Sequence, residues 1–513
     1  MFRLISLNIN DWFYLGHIPE NSLVFVPKHE RVSTKLPYTS VLIGPNGTGK
    51  STLLKYIGEI FEDIEFYKRN GTRRKGGINF PYSIKYILDS DKIQITHKQE
   101  GIDRIAYEKG DLALKWKYNV SINGISLLDW TNLPIPSRVI AVSYLAMDRF
   151  RQKKNDKKDY YQYLGLRHRS NAASPSYFLN NTLPLLFDYI SESKSVMFLK
   201  RILNFMGMDD NYLGIQLEYR YKKYFFKEKI TASDFNNLFS NFEQFSKRTS
   251  TPFAVEYYKT NIEGKERLID KIVKYLQIRT MQDKIRYGEK SLLEFNLFEN
   301  YEVIDELGLI LHLQKLDLLA SATLLFKKKN NKEPTNAQNL SSGEFHFLTT
   351  MIAIQSAIRE NALILIDEPD TSLHPNWQMK YANQLKNLFI KWNSVQFVLA
   401  THSHLLVSDL DDASSEVIGL TGSVPNIKAR PVIKSTHGWS AEQVLLEVFQ
   451  TGTTRNYFFI EVIDKILKEL AAKDFNKQNI TDEILKLKEF DISGLSESDP
   501  IKEIVLKMLK KVE

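Results

Sequence analysis

Two stretches, far apart in the chain, carry residue types whose spacing suits phosphate chemistry. The first is Gly44-Pro45-Asn46-Gly47-Thr48-Gly49-Lys50-Ser51-Thr52. Its glycines let backbone N–H groups wrap around phosphate oxygens that side chains at those positions would obstruct. Asn46, Gly47, Gly49 and Thr52 are therefore expected against the phosphates of a nucleotide. Lys50 would reach the β- and γ-phosphates of ATP, and the Ser51 hydroxyl would ligate Mg²⁺. The second stretch, Ala362-Leu363-Ile364-Leu365-Ile366-Asp367-Glu368-Pro369, ends in two carboxylates. Asp367 would hold Mg²⁺, and Glu368 would orient and deprotonate an attacking water.

Both stretches need particular elements behind them. The glycine-rich loop follows the apolar run Ser40-Val41-Leu42-Ile43 and precedes Leu53, Leu54, Ile57, Ile60 and Phe61 at helical spacing. A strand, a turn and a helix are what the loop requires, because the helix N-terminus adds its positive end to the anion site. The uninterrupted apolar run before Asp367 suits a parallel strand covered on both faces, with ligands collecting at its C-terminal end. Leu340-Ser341-Ser342-Gly343-Glu344 then opens a helix, offering Ser342 and Gly343 to an anion. Val395-Gln396-Phe397-Val398-Leu399-Ala400 is a further buried strand. It runs into Thr401-His402, which puts His402 within reach of a γ-phosphate.

Composition bounds the rest. The chain has 513 residues, 43% hydrophobic and 25% charged, with a net charge of +8. That is globular chemistry with material for several cores. There is no cysteine, which excludes disulfide scaffolds, Cys-ligated zinc, iron–sulfur clusters and cysteine nucleophiles. No apolar run has the length of a membrane span, and the N-terminal alternation from Phe2 to Ile9 reads as a strand rather than a signal peptide. A cytoplasmic protein without membrane partners is the expectation.

In order and type, these motifs resemble the ABC-type ATPases, in their soluble SMC/Rad50/RecF-like branch that includes the AAA_21 proteins. The resemblance implies a P-loop α/β fold with an antiparallel β-subdomain, and it matches Lys50 and Ser51 to Walker A and Asp367 and Glu368 to Walker B. It matches Ser342 and Gly343 to the signature, Ser372-Leu373-His374 to the D-loop and His402 to the switch histidine, catalytic together with Glu368. It also implies two ATPs sandwiched in a head-to-tail homodimer, the signature serine serving the opposite subunit, with higher oligomers built on that dimer. Two departures stand out. The signature reads Ser341-Ser342-Gly343-Glu344, without the second glycine and glutamine of transporters, which implies slow hydrolysis. No Q-loop glutamine follows Arg138-Val139-Ile140-Ala141-Val142-Ser143, where Ser143 is the substitute.

The remaining chain divides into an ATPase N-lobe over residues 1–150, a mainly helical insertion over 151–335, a C-lobe over 336–437 and a helical segment over 438–513. Alternating runs between Pro81 and Trp130 predict the antiparallel β-subdomain. Leu268, Ile269, Ile272, Val273 and Leu276 predict a helix, as does Val303 to Leu316, and neither supports a long coiled coil. Lys327-Lys328-Lys329-Asn330-Asn331-Lys332 reads as a charged linker. Basic residues gather with aromatics in three segments: Lys68 to Lys75, residues 151–170 and Arg220 to Lys229. Such segments can track phosphates and stack bases, so DNA is an expected partner.

A finer resemblance is to the ATPase subunit of Septu-type anti-phage defence, also found with retrons. It rests on the strand ending at Ser143, on Tyr163-Leu164-Gly165-Leu166-Arg167, on Ile366 to Gln378 and on Gly438-Trp439-Ser440-Ala441-Glu442. It implies an ATP-binding subunit that hydrolyses slowly and regulates a nuclease supplied by a separate HNH partner, the chain having no nuclease site of its own. The competing expectations are a RecF/SMC-like repair ATPase acting as a DNA clamp, a transporter ATPase, which the long stretch between Thr52 and Leu340 disfavours, and a binding module that uses ATP as structural glue.

Overall fold

The computed structural model describes residues 1–11, 15–27, 35–102, 114–145, 148–152, 159–165, 186, 189–190, 196–219, 231–245, 251–283, 292–298, 301–331, 333–408, 410–411, 413–432, 438–439, 441–447, 457–471, 477–487, 490 and 500–510. They form two compact units, Met1–Gly438 and Trp439–Glu513.

Strands of the first unit are, in chain order, β1 Phe2–Asp11, β2 Gly16–Val24, β3 Tyr38–Ile43, β4 Tyr82–Leu88, β5 Asp91–Ile102, β6 Leu114–Ile122 and β7 Ile125–Ser126. Then come β8 Val139–Ser143, β9 Tyr161–Tyr163, β10 Met208–Tyr219, β11 Leu292–Asn296, β12 Leu319–Lys328 and β13 Thr335–Asn336. The last four are β14 Leu363–Asp367, β15 Gln396–Thr401, β16 Ser415–Ser423 and β17 Asn426–Pro431. They build a seven-stranded sheet, β17-β16-β3-β15-β14-β8-β9, a six-stranded antiparallel sheet, β2-β1-β4-β5-β6-β7, and a four-stranded one, β11-β10-β12-β13. In the first, all pairs are parallel except β16–β17. The α/β class and the β-subdomain therefore match the expectation.

One helix, Lys50–Asn70, packs against both larger sheets. Leu53, Leu54, Ile57, Ile60, Phe61 and Ile64 are all buried, each worth about 1.5–3 kcal/mol relative to exposure. A Cβ on Gly58 would stand 3.4 Å from Leu365, so that glycine lets the helix lie close on the parallel sheet. On the other side Phe61 meets Tyr86 and Phe2 edge-on, at 5.5 and 5.8 Å between ring centroids. Gly71 ends the helix in the left-handed region, its N–H donating to Tyr67 O, with Lys68 and Arg69 in the last turn facing the negative end of the dipole.

Helices Met197–Phe205, Ala232–Phe245, Thr251–Asn261, Glu266–Asp283 and Tyr301–Lys315 bear out the helical character read for the insertion. The sheet β11-β10-β12-β13 is an addition. Its strands β10 and β12 pair across some hundred residues of sequence, Gly214 opposite Leu325, so no local turn signal announces them. Lys327 and Lys328 of the charged run belong to β12 rather than to a linker, and Lys332 lies outside the described residues. Phe205 of the first insertion helix touches Phe347 and Trp377, at 4.9 and 5.0 Å between ring centroids.

The second unit consists of helices Ala441–Glu447, Tyr457–Ala471, Lys477–Lys486 and Pro500–Leu509. Phe459, Ile463, Ile466, Ile484 and Val505 form its core. Ser440 and Asp499, which precede the first and last of these helices, lie outside the described residues. No helix among the described residues is long and apolar enough to cross a membrane.

Candidate nucleotide site

Strand order creates the site. Asp367 at the end of β14 pairs with Ala400 of β15 on one side and with Ser143 of β8 on the other, while Thr401 pairs with Ile43 of β3. The loop after β3, the carboxylates after β14 and His402 after β15 thus emerge at one edge, the carboxyl ends of parallel strands where such sheets bind ligands.

The loop from Gly44 to Gly49 is shaped by contacts that only glycine allows. A Cβ on Gly44 would stand 2.3 Å from Leu420 O. Gly49, at φ 78°, caps the helix, and a Cβ there would stand 2.5 Å from Leu15 and 2.7 Å from Ile427. Within this frame Lys50 Nζ donates to Gly44 O at 2.8 Å and Pro45 O at 3.1 Å. Its remaining neighbour is His402 Nδ1 at 3.0 Å. Burial lowers the Lys50 pKa to about 8, against the opposing pull of Glu368, Asp367 and Asp370.

The carboxylates divide by partner. Ser51 Oγ donates to Asp367 Oδ1 at 2.9 Å, and burial raises the Asp367 carboxyl to about 7 despite that hydrogen bond, with Glu368 and Asp148 adding repulsion. Glu368 Oε1 lies 2.9 Å from His402 Nε2. With Nε2–H donating to Glu368, Nδ1, which also lies 3.1 Å from Gly44 O, carries the lone pair that accepts from Lys50. Glu368 sits at φ 50°, its N–H donating to Ala400 O at 2.8 Å. A left-handed glutamate is strained, and here the neighbouring strand holds it so.

A divalent ion fits this donor set. Ser51 and Asp367 present two adjacent hard oxygens, and the buried carboxylate is short of positive charge. Among the described residues no cluster of three or more His, Cys, Asp or Glu could hold a metal. The ion would therefore rest on two side chains plus phosphate oxygens, as Mg²⁺ does in phosphate sites.

Ser342 and Gly343 fall in a second cluster. The helix Ser342–Ala357 is capped by Ser341, whose hydroxyl accepts from Glu344 N at 3.2 Å while Glu344 accepts from Ser341 N at 2.8 Å. Glu344, which departs from the transporter signature, is thus the return half of a capping box. Ser342 is exposed, and a Cβ on Gly343 would stand 2.4 Å from Ser372 O, so this turn lies flat on Ser372-Leu373. His374 caps the helix Pro375–Leu388, accepting from Asn376 N at 3.3 Å.

Several participants escaped the sequence reading. Thr401 Oγ1 donates to Asp370 Oδ1. Gln378 donates to Leu373 O at 2.9 Å and accepts from Ser403 Oγ at 2.6 Å, tying the turn after β14 to the end of β15. Asp148 is buried and accepts from Tyr163 OH and from Phe150 N, and Arg149 donates to Thr52 Oγ1 at 3.1 Å. Ser143, expected as the Q-loop substitute, accepts from Leu145 N at 3.1 Å and pairs across the strands with Asp367.

In two of the basic segments some cations have partners within the chain. Arg74 pairs with Glu62 and Asp63, each at 2.7 Å, and Arg151 pairs with Glu62 at 3.1 Å. Lys68 donates to Leu133 O at 2.8 Å. Arg74 is thereby held against buried carboxylates and Lys68 against a carbonyl, while Arg151 keeps a side chain 47% exposed. Residues 153–158, 166–185 and 220–230, which hold most of the other basic positions, lie outside the described residues.

Comparison with known proteins adds a family context. Residues 229–408 match the family described as AAA domain, putative AbiEii toxin, Type IV TA system, a span that includes Ser342, Gly343, Asp367, Glu368 and His402. The chain is 22% identical to the Retron Vc95 probable ATPase of Vibrio cholerae serotype O1 biovar El Tor, over 74% of this chain and 68% of that protein. It is 31% identical to the Septu protein PtuA of Bacillus thuringiensis, over 24% of this chain and 31% of that one, so the match spans less than a third of the relative. Among solved structures, an Smc head domain from Pyrococcus furiosus aligns with 84% of this chain and 96% of its own, at 13% identity and a TM-score of 0.31.

Proposed function

We propose that this chain, an ABC-type ATPase related to retron and Septu defence ATPases, binds Mg–ATP at Lys50 and Ser51, hydrolyses it slowly through Glu368, and thereby regulates a nuclease supplied by a separate HNH subunit. The observation that carries the chemistry is the continuous link Lys50–His402–Glu368 beside the Ser51–Asp367 pair. Lys50 turns from Gly44 O and Pro45 O to the β- and γ-phosphates. Mg²⁺ held by Ser51 and Asp367 would offset phosphate charge. Glu368 takes the proton of the attacking water, and His402, once Lys50 has turned away, is free to meet the γ-phosphate.

The exposed Ser342 supports a head-to-tail homodimer in which each signature serves the partner's ATP. Gly343 against Ser372 supports coupling of that interface to the turn after Glu368. Phe205, between the signature helix and the helix after His374, supports a route from nucleotide state to the insertion and to a bound nuclease. The test is co-expression of the chain with an HNH protein encoded beside it, with and without Glu368→Gln. A stable complex whose DNA cleavage changes with ATP is expected. Failure to co-purify, or cleavage indifferent to ATP and to the substitution, would remove the regulatory role.

A further inference from the structure

A cavity of about 740 Å³ opens on the β-subdomain, lined by the end of the helix Lys50–Asn70, by β6 and by the turn through Trp130. The phosphate loop opens the other end of that helix, so the two places are separated by about 30 Å at 1.5 Å per residue. The lining is aromatic. Tyr67, Tyr118 and Trp130 meet at 4.5 to 5.3 Å between ring centroids. Trp116 is stacked on His97 at 4.6 Å and 13°, and Arg73 stands over a Trp116 ring at 5.4 Å.

Tyr118 and Trp130 pack against the core on one side and leave part of their surface to the cavity. Both tryptophans remain partly exposed although each has a large apolar area to bury. Cations outnumber acids on the lining: Lys68, Arg69, Arg73 and Lys117 against Glu100 and Asp129. Glu100 pairs with Lys117 at 2.9 Å, Asp129 accepts from Thr131 N at 2.9 Å and Lys68 donates to Leu133 O at 2.8 Å, so the surplus positive charge rests on Arg69 and Arg73. Arg69 is 67% exposed, with Glu65 at 3.8 Å as its acidic neighbour. Flat aromatic and guanidinium surfaces beside surplus positive charge are what a nucleobase and its phosphate require. An acidic peptide would use the charges but not the stacked rings.

We infer that this cavity is a second nucleotide-binding site, separate from the ATP site, which takes a nucleobase with its phosphate from a single-stranded nucleic acid or from a free nucleotide. Its existence does not depend on hydrolysis at Glu368. The full chain is titrated with a fluorescein-labelled oligo-dT strand in nucleotide-free buffer. Binding is expected, weakened about tenfold or more by Arg69→Glu combined with Lys117→Glu, and similarly by Trp130→Ala. The charge reversals lie on exposed side chains, so they keep the test valid if Trp130→Ala fails to fold, as melting curves will show. Displacement of the strand by AMP assigns the site to free nucleotide, and strand binding that AMP does not displace assigns it to the strand. Equal affinity in parent and charge-reversed protein, preference for duplex, or binding of neither strand nor AMP would overturn the proposal.

Discussion

His402 Nε2 lies 2.9 Å from Glu368 Oε1, while Nδ1 of the same ring lies 3.0 Å from Lys50 Nζ. One imidazole thus joins the group that would deprotonate water to the group that would hold the γ-phosphate. Glu368→Gln is expected to lower ATP turnover by about 10²- to 10⁴-fold while ATP binding persists. His402→Ala should also lower it, and the double variant should lose little more than Glu368→Gln alone, because residues acting as a unit are not additive. Steady-state hydrolysis with equilibrium binding checks both, and fully multiplicative losses would dissolve the unit.

Asp367 ties stability to pH. Its carboxyl is held at about 7 in the folded chain against 3.8 in the ordinary state, so between those values the folded protein keeps a proton that the unfolded chain has lost. Stability from this group is complete below the lower value and lost as pH rises through the upper one. Asp370, also raised by burial, acts in the same direction. Without metal, Asp367→Asn should reduce the fall in urea midpoint over this window by about one proton's worth. An unchanged slope would place the proton elsewhere.

Mg²⁺ held by Asp367 would compete with that proton for the same carboxylate. Mg²⁺ affinity in the presence of ATP should therefore fall as pH drops below about 7. Ser51→Ala should weaken Mg²⁺ about tenfold or more while nucleotide is still bound. Titration calorimetry at two pH values measures both effects.

Gly343 lies so close to Ser372 O that an added Cβ would stand at 2.4 Å from it, against backbone rather than a yielding side chain. Gly343→Ala should displace the turn after Glu368. Turnover is expected to fall about tenfold with ATP affinity nearly unchanged, since misplacement near a reacting centre costs rate before binding. Loss of binding instead would mean that the signature helix supports the phosphate loop directly.

The glycine-rich loop was legible because its geometry is local: nine consecutive residues, Gly44 to Thr52, shape one turn. The run into Asp367 and Glu368 was legible because a strand covered on both faces must be apolar throughout. Asp370 with Thr401, Gln378 with Ser403 and Asp148 with Tyr163 were not, since strand order brings each pair together and no spacing in the chain encodes that order. The partners of the basic residues were hidden for a related reason. Arg74 meets Asp63 and Glu62 only because the chain folds back along its own helix, turning an apparent surface charge into a buried partner. Strand β10 alternates through Leu213, Ile215 and Leu217, but its pairing with β12 is distant in the chain.

The central claim is that Lys50 holds ATP in the loop after β3. Lys50→Ala leaves the loop backbone with its glycines and removes only the cation that now reaches Gly44 O, Pro45 O and His402. The most direct measurement is titration calorimetry of Mg–ATP into the parent chain, Glu368→Gln and Lys50→Ala. Saturable binding by the first two and none detectable by the third is expected. Retained micromolar affinity in Lys50→Ala would contradict the account.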